Sequence, residues 1–225
     1  MSGAEATVNI TNLRQFATLS LREQVTRALR AAIVSGELAP GEVYSAPALG
    51  ERFGVSATPV REAMLDLVRE NLVTTVPNKG YRVTEVGEAE LDDITELRML
   101  IEPVLTAQAA LAIPDEDFPE LRALADAIVE NAAAGDLVAY TEADRAFHLR
   151  ILGYAGNERA VAVISELRAN TRLFGLAGLA ESGQLTESAR EHYAIVDALA
   201  AHDPAAVEVL LREHISQTRG RWATS

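Results

Sequence analysis

Apolar spacing divides this chain into a short mixed segment and a long helical one. From Ser20 onward, Leu21, Val25, Leu29, Ala32 and Ile33 recur at helical intervals on one face. Ser20 is a suitable N-cap, and Gly36 with Pro40-Gly41 ends the pattern. Ala46 to Phe53 reads as a second, short helix closed by Gly54. A third helix places Val60, Ala63, Met64, Leu67 and Val68 on one stripe, with Ser56 or Thr58 as its cap. Pro59 falls in its first turn, where a missing N–H costs nothing. The period then shortens. Val73–Val76 and Tyr81–Val86 are β-branched runs joined by Pro77-Asn78-Lys79-Gly80, which predicts a hairpin.

Beyond Val86-Gly87-Glu88 the pattern is helical throughout, with helices predicted near 88–112, 116–133, 136–155, 158–175, 186–201 and 204–221. The breaks fall at Pro114, Gly135, Gly156, the stretch from Gly175 to Gly183, and Asp203-Pro204. Pro103 lies inside the first of these helices and predicts a kink. The expected organisation is a mobile arm over residues 1–18, a winged helix-turn-helix over 19–86, and an all-helical domain over 87–225. The fold class is mainly α.

Charge sharpens that division. The net charge of −13 is unexpected for a chain with a DNA-reading motif. Residues 1–86 hold 9 Arg/Lys and 9 Asp/Glu, whereas residues 87–225 hold 11 and 24. The acidity therefore lies in the helical part, which phosphate would repel and which should face away from a duplex. Lys79, the chain's one lysine, sits at the predicted hairpin tip. No run of 18 uncharged apolar residues predicts a membrane span, and no basic-then-apolar leader pattern opens the chain. The absence of cysteine excludes disulfides and thiolate metal sites and fits a cytoplasmic protein.

In a helix-turn-helix the recognition helix turns its N-terminal residues to base edges in the major groove. Arg61 lies there, opposite the Val60/Met64/Leu67 stripe, and an arginine can make two parallel hydrogen bonds to guanine. Ser56 and Thr58 suit phosphate contacts, and Lys79 and Gly80 at the hairpin tip could reach an adjacent minor groove. Three helices and a hairpin also occur in proteins that bind no DNA. Val55-Ser56-Ala57-Thr58-Pro59-Val60-Arg61-Glu62-Ala63, spaced after Pro40-Gly41 and followed by Asn78-Lys79-Gly80-Tyr81, resembles the signature of the GntR family over residues 20–86. The resemblance implies a DNA-binding regulator. Two positions depart from it: Ala57 and Pro47 stand where the family usually has arginine, which should alter the operator and lower the salt dependence of binding. Ser56, Ala57, Thr58, Arg61, Lys79 and Gly80 are the expected DNA-facing residues.

Three of the four histidines lie on apolar helix faces: His148 with Asp144, Phe147 and Ile151; His192 with Ile195, Val196 and Leu199; His214 with Val207, Leu210 and Leu211. A lone histidine on such a face is commonly a satisfied core residue. Three on separate helices, joined by an aspartate one turn from His148, suit a divalent ion such as Zn, Ni, Mn or Fe. Such a site could also activate water in a metal-dependent hydrolase. That chemistry needs an aimed general base, and Glu191 and Glu213 each precede a histidine by one residue, about 100° around the helix and expected at the surface. His202, beside Asp203-Pro204, is expected to be solvated.

The helical part, with Glu96-Leu97-Arg98, Ile101-Glu102, Asp144-x3-His148, Glu191-His192 and Glu213-His214, resembles the FCD effector domain of the FadR subfamily over residues 88–221. The resemblance implies that Asp144, His148, His192 and His214 hold one divalent metal ion per chain. Arg98, on a face with Ile94, Leu97 and Ile101, is expected to look inward, either as a clamp on a carboxylate effector or in an ion pair with a nearby Glu. Asn170, Arg145 and Arg150 are further rim candidates, and Arg145 should point off-axis. The expected protein is a homodimeric regulator, a repressor and not an enzyme, that reads a palindromic double-stranded operator and responds to a small carboxylate. The alternatives are a metal-dependent hydrolase and a regulator whose metal is purely structural.

Overall fold

The structure, a computed structural model, describes residues 20–171 and 176–222. The expected N-terminal arm therefore lies outside the described residues. Helix α1 (Leu21–Val34) opens on Ser20 with a full capping box: the Ser20 hydroxyl accepts from the Glu23 amide, and Glu23 accepts from the Ser20 amide. Helix α2 (Ala46–Phe53) starts at Ser45 and stops at Gly54, whose left-handed backbone suits glycine. Helix α3 (Ala57–Arg69) follows after a three-residue turn, with Ser56 at the N-cap position but making no side-chain cap bond.

Three strands complete this part. Strands β2 (Val73–Val76) and β3 (Gly80–Val83) form the expected hairpin, with Val73 opposite Val83 and Val76 opposite Gly80. Strand β1 (Val43–Tyr44) was not expected; two residues carry no period. It pairs antiparallel with β3, giving the order β1-β3-β2. This pairing explains Gly80, where φ is +137° and a Cβ would collide with the Tyr44 carbonyl oxygen. Leu29, Leu49, Val60, Met64, Leu67 and Val83 fill the core beneath. Leu21, assigned to the same face by its spacing, is exposed.

The chain then forms α4 (Glu88–Ala109), a 3-10 turn at Asp115–Asp117, α5 (Phe118–Ala134), α6 (Leu137–Gly153), α7 (Glu158–Thr171), α8 (Leu176–Glu181), α9 (Gln184–Ala200) and α10 (Pro204–Trp222). The short α8 falls where only a glycine-bounded break was expected. Its Leu176 and Leu179 join a core built on Leu121, Ile128, Phe147, Ile151, Leu185, Leu199 and Leu211. Helix α4 runs unbroken through Pro103, which cannot donate to the Met99 carbonyl four residues back. That carbonyl accepts instead from Arg212 Nη1 of α10 at 3.2 Å. Leu97 points outward rather than inward, so the inner face of α4 carries Leu91, Ile94, Arg98 and Glu102.

Candidate metal centre and nucleic-acid face

Four of the six residues expected to meet DNA lie at the surface of the N-terminal part. Ser56, Thr58 and Arg61 are exposed along the start of α3, and Lys79 is exposed at the hairpin tip. Ala57 is half-buried and packs against the core, so it offers little outward surface. Gly80 pairs with Val76 under the Tyr44 carbonyl, a position set by strand packing. Two arginines of α1 hold α3: Arg22 grips Asp66, and Arg30 forks onto Glu70, with Nε 3.1 Å from Oε2 and Nη2 2.7 Å from Oε1.

In the helical part, α6, α9 and α10 bring Asp144, His148, His192 and His214 into one cluster. One possible ligand atom from each lies within 4.8 Å of all the others. His148 Nε2 and His192 Nε2 are 3.1 Å apart, and Asp144 Oδ1 is 3.6 and 3.3 Å from them. Metal–nitrogen and metal–oxygen bonds of about 2.0–2.2 Å bring neighbouring donors about 3–3.5 Å apart, so this donor set fits a divalent ion. The Phe147 ring stands edge-on to His148 and His192, closing one side with hydrocarbon. Burial, and then the nearby Arg168 guanidinium, hold His148 well below the usual imidazole range; burial lowers His214 as well. Both rings are therefore neutral at pH 7, as metal ligands must be.

Behind the cluster runs a buried chain of charge. Arg98 Nε donates to Glu102 Oε1 at 2.5 Å, Arg168 Nη1 to Glu102 Oε2 at 2.6 Å, and Arg168 Nη2 to Asp144 Oδ2 at 3.0 Å. Burial would raise Glu102, but Arg168 and Arg98 outweigh it and hold the carboxyl down at about 2. Asp144 is likewise held well below the carboxylate range, burial being overcome by Arg168 and then His148. Arg98 thus looks inward as expected, and in this structure it takes the ion-pair arrangement with Glu102. Arg168 was missed from the sequence. The available signal was its place one turn after Ile164, a fully buried residue of α7.

Arg145 is exposed and donates to Ser165 Oγ, off-axis as expected. Arg150 pairs with Glu120 and lies over the Tyr154 ring at the surface. Asn170 is in α7, and its side chain lies outside the described residues. His202 is half exposed yet held between the Ala110 carbonyl and Asp115. Glu213 is exposed as expected. Glu191 is not: its carboxylate lies 2.8 Å from His214 Nδ1.

Comparison with known proteins gives the same division. Residues 21–83 match the family described as bacterial regulatory proteins, gntR family, and residues 93–217 match the FCD domain. Among curated relatives, the HTH-type transcriptional regulator McbR of Escherichia coli (strain K12) is 29% identical over 88% of this chain and 91% of its own length. The HTH-type transcriptional repressor GlaR of the same strain is 29% identical over 84% and 90%. The solved structure of E. coli McbR/YncC is similar over 92% of this chain and 98% of its own, with a TM-score of 0.70 at 29% identity. Among the described residues, no helix is long and apolar enough to cross a membrane.

Proposed function

The chain belongs to the GntR family of bacterial transcription regulators, carries an FCD domain and is not an enzyme; from that premise we propose that it is a metal-dependent, effector-responsive repressor acting as a homodimer. The observation that carries this reading is the convergence of Asp144, His148, His192 and His214 beside two buried arginines. Residues 19–86 would read the operator and residues 87–225 would sense the effector.

Two copies of Arg61, one per half-site of a palindrome, would read bases, with Ser56, Thr58 and Lys79 on phosphates. Pairing of two chains is supported by Leu97, Leu100 and Val104, an exposed apolar stripe along α4 at heptad spacing. In the bundle, Asp144 and the three histidines would hold one divalent ion, which when bound supplies positive charge and open coordination positions for a small organic acid. Arg168 holds Asp144 Oδ2, leaving Oδ1 toward the imidazoles. An entering carboxylate would compete with Glu102 for Arg98.

Helix α6 supports a route from this site to the reading head. It carries Asp144 and His148, and two residues before Asp144 it presents Glu142, 3.3 Å from the Arg30 that also holds Glu70 at the end of α3. Arg27 faces Asp136, the N-cap of the same helix, at 3.7 Å. An open cleft of about 560 Å³ lies between α1, α3, α6 and α7, leaving room for the two parts to shift. An effector that prefers one arrangement would change the spacing of the winged helices and release DNA, provided its affinity differs between arrangements.

The Arg98–Glu102 pair favours a second reading, in which the metal is structural and no effector enters. Titrating operator-bound, zinc-loaded protein with a panel of small carboxylates, read by fluorescence anisotropy, separates them. Release of DNA by a carboxylate supports the effector reading. Unchanged operator affinity across the panel at saturating acid, with zinc still bound, supports the structural one.

A further inference from the structure

We propose that Glu191 is a positioning residue of this site, holding the His214 ring so that its Nε2 faces Asp144, His148 and His192. The proposal rests on the metal-binding reading of those four residues but concerns a side chain outside that set.

The geometry carries the argument. Glu191 Oε2 on α9 lies 2.8 Å from His214 Nδ1 on α10. An ionised carboxylate accepts hydrogen bonds and cannot donate. The Nδ1 of His214 therefore holds the proton of its neutral ring, and the lone pair is left on Nε2. His192 follows the same rule with a different partner: its Nδ1 lies 2.9 Å from the Ala189 carbonyl, which also only accepts. Both rings thus turn Nε2 to the cluster, where His148 Nε2 and His192 Nε2 already lie 3.1 Å apart. A backbone carbonyl sets the tautomer of one ring and a side-chain carboxylate sets the other. A carboxylate on the far nitrogen also raises the basicity of the ligating one.

Glu191 has a counterpart that serves as a control. The chain contains Glu-His twice, at Glu191-His192 and Glu213-His214. Glu213 is exposed, whereas Glu191 is largely covered and serves the histidine of the other pair. Packing of α9 on α10 turns one glutamate to the site and the other to solvent.

The test uses the full-length protein in two measurements. Long-range proton–nitrogen NMR on metal-free protein reads which nitrogen of His214 is protonated. Nδ1 protonation in the wild type and a mixture of tautomers in Glu191→Ala are expected. Zinc affinity, from competition with a chromophoric chelator, is expected to fall about 10–100-fold in Glu191→Ala. It should recover in part in Glu191→Gln, whose amide oxygen can still accept, and stay at the wild-type value in Glu213→Ala. Wild-type zinc affinity in Glu191→Ala, an equal loss in Glu213→Ala, or an Nε2-protonated His214 in the wild type would overturn the assignment. If the wild type took up no zinc, the metal reading would fall, and the metal-free NMR spectrum would still decide what Glu191 does. Should Glu191→Ala not fold, the wild-type tautomer and the Gln variant decide the matter.

Discussion

The DNA-reading part and the helical part place their ion pairs in opposite environments. Around α1–α3, Arg22–Asp66, Arg52–Glu37 and Arg69–Asp66 lie at the surface, and Arg30, the best covered of these arginines, keeps 20% of its side chain exposed. In the bundle, Arg98, Glu102 and Arg168 are each 5% exposed or less. Water screens the first group, so each pair is worth about 0–1 kcal/mol and can be rearranged cheaply. The second group cannot lose one member without stranding another in a medium that will not solvate it. The charge of −13 residing in the helical part is thus a property of its surface, such as the exposed Glu88, Glu90, Asp92, Asp93 and Glu96 on α4. Its interior pairs two guanidiniums with two carboxylates. The N-terminal part keeps its ion pairs at the surface, whereas the helical part carries its net charge outside and a paired set of charges within.

The sharpest way to break this contrast is to neutralise one carboxylate in each part. Glu102→Gln should cost about 3–5 kcal/mol of stability, read from urea unfolding of metal-free protein, because it removes the negative charge that Arg98 and Arg168 share and sets an amide NH2 against one of the two guanidiniums. Asp66→Asn should cost under about 1 kcal/mol. Equal losses would mean that the Glu102 network is not sealed from water. Protonation should mimic the first variant. Glu102 is depressed to about 2 from an ordinary value of 4.5, so its contribution is fully present above about pH 4.5 and lost as pH falls toward 2. A stability-versus-pH curve that is flat over that range would contradict the pairing.

Next in size is the metal itself. Free zinc at 100 times its dissociation constant should add about 2.7 kcal/mol to the bundle's stability, and a chelator should remove it. For a chain of this size the corresponding shift in melting temperature is about 5–10 °C. His148→Ala with His192→Ala should abolish the shift. A chelator-insensitive melting temperature in the wild type would leave three core histidines and no ion.

Arg61→Ala turns the comparison toward function. It should remove about 1–3 kcal/mol of discrimination between operator and random DNA, measured by fluorescence anisotropy, with the melting temperature unchanged. Retained discrimination would assign base reading to another residue. The smallest expected effect on stability is that of Glu142→Gln, under about 1 kcal/mol. Its effect on signalling should be larger: DNA binding persists, while the response to a releasing carboxylate weakens. A full response in that variant would place the coupling elsewhere than α6.

The sequence by itself determined the local elements and the types of chemistry. A 3.6-residue period with Ser20, Gly54 and Gly135 at its ends marks helices, because caps and periodicity act within a few residues. Three histidines and an aspartate on apolar faces were legible as a possible ligand set for the same reason. Only tertiary structure decided which groups meet. Strand β1 exists because β3 offers it an edge, and α8 because the bundle core receives Leu176 and Leu179. Leu97 lies outward and Arg98 inward because α4 is rotated by what packs on it. Arg168 reaches Asp144 from another helix, and Glu191 serves His214 rather than its neighbour His192. Periodicity gives the face of a helix to within a residue or two. The partner across that face depends on helix rotation and crossing, which are fixed by long-range packing that no single stretch of sequence contains.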